Sequence, residues 1–379
     1  MKRFAALLLA CLLILSLAAC AGKEEEPPVT PTPSASETPA PSEKPSPAPA
    51  PEPSPSAEPE PEPSPSPEPE PEPEPTVTNR FTGLPVEEDT SLKRPFAVIF
   101  NNISKAVPQT GISGADVILE VQAEGGITRI VAVFSDLDVI DALGSIRSMR
   151  PYFIDFTKCL DPIYIHAGGS DDAYIKIKSE GVTNVDGVNG SGVDSVFYRD
   201  SWRRSNMGYE HSLMAKTSAL PAYIEKKGIK TELPEEKGFG FAFGESSLKG
   251  GTAETIKVSL SNSKTTSFAY SADDGLYRIS QYGGKMTDSV TGEQLAVANL
   301  VVLQTTLKAY DSYGRMNVTS TGTGSGYAFT QGAYEKITWS RDSTSKPFTL
   351  KTESGEALLL TPGKTYVCIA PTDGNVAIS

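Results

Sequence analysis

Residues 117–134 read Val117-Ile118-Leu119-Glu120-Val121-Gln122-Ala123-Glu124-Gly125-Gly126-Ile127-Thr128-Arg129-Ile130-Val131-Ala132-Val133-Phe134. Two runs rich in β-branched residues flank a Glu-Gly-Gly turn, so the stretch predicts strands at Val117 to Val121 and Ile127 to Phe134, with Glu120, Glu124 and Arg129 at their ends. Outward from this hairpin, Phe96 to Phe100 and Pro162 to His166 read as further strands. Helical patterns fall at Pro151 to Lys158, Asp171 to Ser179 and Ser212 to Lys226. Residues 80–230 are therefore expected to form a mixed α/β domain.

The texture changes after Lys237. Short runs rich in Val, Tyr, Phe and Thr are punctuated by Gly, Asn, Asp and Ser: Ile256 to Leu260, Leu276 to Gln281, Leu300 to Thr306, Tyr327 to Phe329, Lys336 to Trp339 and Thr365 to Ala370. Gly322-Thr323-Gly324-Ser325-Gly326 reads as a turn or bulge between strands. Residues 238–379 are expected to form a mostly β domain, which makes the whole an α+β fold.

The N-terminal 79 residues cannot build a core. Lys2 and Arg3 precede an apolar run from Phe4 to Leu15, and Leu17-Ala18-Ala19-Cys20 has the form of a lipobox, so residues 1–19 read as a lipoprotein signal peptide and Cys20 as the lipidated residue. The apolar run is too short to require a permanent span. Two or three acyl chains on one cysteine, each buried methylene contributing about 0.8 kcal/mol, would hold the chain stably to a membrane. Residues 20–79 continue in Pro/Glu/Ser/Ala repeats such as Pro59-Glu60-Pro61-Glu62-Pro63 and read as a disordered tether. At about 3.1 Å per residue in polyproline II, it could reach on the order of 150 Å. The expected location is the extracytoplasmic face of a bacterial membrane, in a Gram-positive cell.

The charge sits mostly in the tether. Cys20 to Asn79 hold 13 Glu against Lys23 and Lys44, a net of -11; Lys2 and Arg3 add +2, so the total of -13 leaves -4 for residues 80–379. A nearly neutral folded part gives no footprint for nucleic acid, and the acidic tether would repel phosphate backbones. Of four cysteines, Cys159 and Cys368 lie in apolar patterns and are expected to be separate buried thiols.

Several strings together resemble the YerB-like lipoprotein family, whose function is unknown. They are Phe81-Thr82-Gly83-Leu84-Pro85, Arg94-Pro95-Phe96-Ala97-Val98, Glu124 to Arg129, Gly144 to Tyr152, His166-Ala167-Gly168-Gly169-Ser170, Phe197-Tyr198-Arg199-Asp200, Asp311 to Arg315 and Thr361 to Thr365. The resemblance spans residues 80 to 371 and implies a two-domain bacterial lipoprotein, with a mixed first domain and a mostly β second one. It implies no reaction. The chain departs from the family where a His-Asn pair is replaced by Glu210-His211-Ser212.

Chemistry has few places to sit. Arg147 and Arg150 stand three apart in a loop that Pro151 turns into a helix start, and two guanidiniums there can clamp a carboxylate or phosphate. The same arginines could instead pair with Glu120, Glu124 or Asp155. His166-Ala167-Gly168-Gly169-Ser170-Asp171-Asp172 reads as strand end, glycine turn and helix start; Ser170 suits an N-cap, and Asp171 and Asp172 would repel a phosphate from that end. His166 and His211 are the only imidazoles. They could serve a hydrolase with Ser170 or Ser148 and Asp200, yet neither a Gly-x-Ser-x-Gly elbow nor a His-Glu-x-x-His motif is present. Tyr198, Arg199 and Trp202 beside Arg203 and Arg204 are expected on a long loop that offers a partner surface.

The sequence therefore points to a binding or scaffold lipoprotein of the envelope, needing no cofactor or metal. Its cleft is expected to be bordered by Arg147, Arg150 and His166, with Ser170, Glu124, Arg129, Tyr198, Arg199, Asp200 and His211 as further candidate contacts. Its ligand would be an anionic small molecule, a cell-wall component or an envelope protein. The alternative is an envelope hydrolase or transferase using His166 or His211 with Asp171 or Asp200.

Overall fold

A computed structural model describes residues 77–138, 140–190, 195–246 and 248–379. Cys20, the signal peptide and nearly all of the tether lie outside these residues. The fold is α+β: the α-helices α1 (Pro151–Thr157), α2 (Asp171–Glu180), α3 (Ser201–Asn206) and α4 (Leu220–Lys227) precede a C-terminal part of strands and turns.

One sheet runs through both parts. Its main strands are β1 (Phe96–Asn102), β2 (Val117–Gln122), β3 (Thr128–Phe134), β4 (Ile163–His166), β5 (Asn184–Asp186), β6 (Asn299–Thr305), β7 (Gly322–Thr330), β8 (Ala333–Arg341) and β9 (Thr365–Pro371). They lie in the order β8-β7-β6-β9-β2-β3-β1-β4-β5. The expected hairpin is present: β2 and β3 are antiparallel, with Gln122 opposite Thr128 and Val117 opposite Val133. Gly125 and Gly126 take φ of 65° and 78°, the left-handed region that favours glycine.

β9 joins the two parts. It lies parallel to β2 on one side and to β6 on the other, so it is paired along both edges. Flanked in this way and covered on both faces, Tyr366 to Ala370 are buried without interruption, as a near-continuous apolar run requires.

Alternation along β3 divides the core. Ile130, Ala132 and Phe134 face a second sheet built on Thr255–Ser261, Lys264–Ser271 and Leu276–Gln281, where Ile256, Val258, Phe268 and Ile279 are fully buried. Val131 and Val133 face the opposite layer, where Tyr152, Phe153 and Phe156 of α1 pack. Arg129 falls on that second face, at the end of the strand where β1 finishes.

Three expectations are corrected. Ser212 to Lys226 is not one helix: Leu213–Lys216 pairs as a strand with Ala142–Gly144 and Phe197–Arg199, and the helix begins at Leu220, where Pro221 occupies the first turn. Gly322 to Gly326 is not a turn but the first half of β7. There glycine allows close backbone approach, since a Cβ on Gly326 would lie 2.0 Å from the Val302 carbonyl oxygen and one on Gly324 would lie 2.5 Å from the Trp339 ring. Trp202, Arg203 and Arg204 lie on α3 and not on a loop, because the Asp200 carboxylate caps it by accepting from the Arg203 amide at 2.7 Å.

Candidate functional site

The carboxyl ends of β1 and β4 splay apart, and the segment before α1 fills the gap. Arg147 donates its amide to Ile99 O at 2.7 Å and accepts from the Ala167 amide at 2.9 Å, while the Met149 amide reaches Gly168 O at 2.9 Å. Arg150 is extended at φ -130° and ψ 152°, as a residue before proline prefers. Arg147 and Arg150 are thereby held at the carboxyl edge of the sheet beside Arg129, which enters from β3.

One glutamate serves two of the three arginines. Arg150 Nε donates to Glu124 Oε1 and its Nη2 to Oε2 at 2.9 Å, a two-pronged pair. Arg129 Nη1 stands 3.5 Å from Glu124 Oε2. Burial would push the Glu124 carboxyl up, but Arg150 and Arg129 outweigh it and hold the group below the usual carboxylate range. Arg129 is only 4% exposed, and its Nε and Nη1 have no hydrogen-bond partner among the described residues. Burial, and then the neighbouring Arg150, pull its pKa down to about 9, so it stays charged at neutral pH. Arg147 is more open and donates to Glu210 at 2.8 Å, a partner that is itself 68% exposed.

His211 borders this cluster. Asn101 Nδ2 lies 2.9 Å from His211 Nδ1, and burial followed by Arg147 lowers the imidazole pKa, which favours a neutral ring accepting from the amide. His166 is fully buried, with Nδ1 2.8 Å from Gly168 O and Nε2 3.1 Å from Asn184 Oδ1. Asp186 stands 4.0 Å from that ring across the β4–β5 pairing.

The other candidate residues scatter. Ser170 caps α2 by accepting from the Ala173 amide at 3.3 Å, and Asp171 and Asp172 occupy the first turn. Asp200 is taken up as the cap of α3. Arg199 stacks on the Tyr209 ring at 3.8 Å and, with Tyr198, borders a separate hollow lined also by Val188 and Phe197. Among the described residues, no hydrogen bond or ion pair joins either histidine to Asp171 or Asp200, and no group of three or more His, Cys, Asp or Glu is placed to hold a metal ion. Cys159 and Cys368 are free and buried.

Residues 81–230 match the model of the N-terminal domain of a protein family of unknown function, DUF3048, and residues 256–367 match the model of its C-terminal domain. The chain belongs to this family. A curated relative from Bacillus subtilis (strain 168), named "Putative lipoprotein YerB", is 28% identical over 302 residues, covering 79% of this chain and 87% of that protein. A crystal structure of the YerB protein from Bacillus subtilis superposes with a TM-score of 0.69 at 26% identity, covering 79% of this chain and 99% of that one. Within the family frame, Arg129, Arg147, Arg150, Glu124 and both histidines all fall in the N-terminal match.

Two partners were not singled out from the sequence. Asp186 reaches His166 only through a parallel strand pairing, and Glu210 reaches Arg147 only through the fold of the α3–Leu213 connection. The local strings carried no signal for either contact.

Proposed function

We propose that this protein is a lipid-anchored recognition protein of the bacterial envelope, whose folded head binds an anionic group at Arg129, Arg147 and Arg150. The observation that carries the reading is Arg129: a buried guanidinium with Nε and Nη1 lacking hydrogen-bond partners among the described residues, beside Arg150, which shares Glu124 with it, and Arg147, which pairs with Glu210. Unpaired buried donors are costly, at about 1–3 kcal/mol each, and an incoming oxyanion would satisfy them. The carboxyl edge of parallel strands is also where ligands of open α/β sheets commonly sit. Glu210, exposed and, among the described residues, held through its ion pair with Arg147, is the carboxylate a ligand would replace.

The lipid attachment is supported by the Leu17-Ala18-Ala19-Cys20 string and by the printed name of the Bacillus relative. The chain enters the folded part at Asn79, whose side chain holds Asp116 and Ser135 beyond the end of β3 opposite Arg129.

Calorimetric titration of the full chain with inorganic phosphate and with citrate tests the reading. The expected result is binding that Arg147→Ala weakens at least tenfold with an unchanged thermal midpoint. Absence of binding at millimolar anion, or indifference to Arg147→Ala, would overturn it. Loss of radiolabelled fatty acid incorporation in Cys20→Ala tests the anchor.

A further inference from the structure

Next to the arginine cluster lies a groove of about 640 Å³, walled by α1 and α2 on one side and, on the other, by Tyr310 and the strand Met316–Val318 of the hairpin that Leu307–Ala309 completes. Its size falls within the roughly 300–1,000 Å³ of small-ligand sites. The two places adjoin at the start of α1. Pro151 and Tyr152 line the groove and directly follow Arg150, and the Tyr152 hydroxyl lies in the field of Glu124, Arg129 and Arg150 as well as Tyr310. At the hairpin tip, a Cβ on Gly314 would lie 3.5 Å from the Gly125 amide, so the hairpin backs onto the turn that carries Glu124.

The groove itself is acidic, with Asp155, Asp172 and Glu180 set against Lys176. Lys176 bridges Asp155 at 2.7 Å and Glu180 at 2.9 Å, and Lys158 also pairs with Glu180, which offsets part of that charge. Asp172 Oδ2 accepts from the Tyr310 hydroxyl, leaving Oδ1 as a further acceptor. Tyr310 remains 43% exposed and Ile175 65% exposed, and Asn317 on the hairpin offers an amide donor and acceptor. Aromatic and aliphatic surface beside carboxylate and amide groups suits a hydroxylated ring, whose C–H faces need apolar contact and whose hydroxyls need acceptors. A second anion would be repelled by this acidic wall.

We infer that the ligand of the arginine cluster is an anionic sugar, with its phosphate or carboxylate at Arg129, Arg147 and Arg150 and its ring in the groove against Tyr310 and Asn317. The inference rests on the anion-binding reading above. Calorimetry of the full chain with N-acetylglucosamine 1-phosphate, inorganic phosphate and N-acetylglucosamine tests it. The sugar phosphate is expected to bind at least tenfold tighter than phosphate. Tyr310→Ala and Asn317→Ala should return its affinity to that of phosphate without changing phosphate binding, whereas Tyr310→Phe, which keeps the ring, should retain most of the gain. If phosphate binds and the sugar phosphate binds no tighter, or the gain survives Tyr310→Ala, the sugar inference falls and the anion site stands. If neither phosphate nor the sugar phosphate binds, both fall.

Discussion

Lys264 Nζ lies 3.3 Å from Glu120 Oε1, with the two side chains 2% and 0% exposed. The same carboxylate accepts from Asn102 and Thr128 of the N-terminal part and from Thr266 and Tyr366 of the C-terminal part, at 2.6 to 2.8 Å. One buried acid thus ties its own strand to four others and joins both parts of the chain. Removing a single partner from such a pair leaves the other charge uncompensated, which costs about 3–5 kcal/mol. Lys264→Met is expected to lower the unfolding free energy by that amount in urea titrations. Tyr366→Phe should lower it by about 1.5–3 kcal/mol, and the double variant by less than the sum, because both act on one carboxylate.

Glu124 competes with any anion for Arg150 and Arg129. Glu124→Gln removes the negative charge while keeping the shape, and is expected to raise the affinity for inorganic phosphate several-fold and steepen its dependence on salt. An unchanged affinity would mean that the guanidiniums are not available to ligand. The folded chain should also lose stability, since two buried cations would lose their shared counter-ion.

Asp186 sets an acid limit. Burial pushes its carboxyl up, but His166, the Tyr174 hydroxyl and the Gly168 and Val188 amides outweigh it and hold the group below its ordinary value. A carboxyl depressed in the folded state stabilises fully above the unfolded value of about 4, and that contribution is lost as pH falls through the folded value. Asp186→Asn should therefore lie below the parent in stability at pH 7, and the gap should narrow as thermal midpoints are followed from pH 5 downward.

β7 offers a steric test. Gly326→Ala would drive a methyl into the Val302 carbonyl, across the β6–β7 pairing, and is expected to cost at least about 2 kcal/mol. Gly284→Ala meets nothing within 4 Å and should stay within about 0.5 kcal/mol of the parent. Equal effects at the two positions would contradict the strand placement of Gly326.

Much of the local structure was legible. Alternation and β-branched content placed β1, β2, β3 and β9, and Pro151, Ser170 and the Glu124-Gly125-Gly126 turn marked their element boundaries, because each acts on backbone within a few residues of itself. Glycines misled at Gly324 and Gly326, since a residue chosen for close approach reads the same as one chosen for a turn. Ser212 to Lys226 misled because its apolar spacing fits a buried short strand as well as the helix that follows it.

By itself the sequence determined the α+β composition, the family, the near-neutral charge of the folded part and the short menu of groups able to do chemistry. Those follow from residue identity and local periodicity. Only the tertiary structure decided that β9 enters between β2 and β6, that Glu120 meets Lys264, and that Arg129 is left buried with open donors beside Arg147 and Arg150. These depend on which distant strands pair and in what register, and that is settled by burying two apolar faces at once.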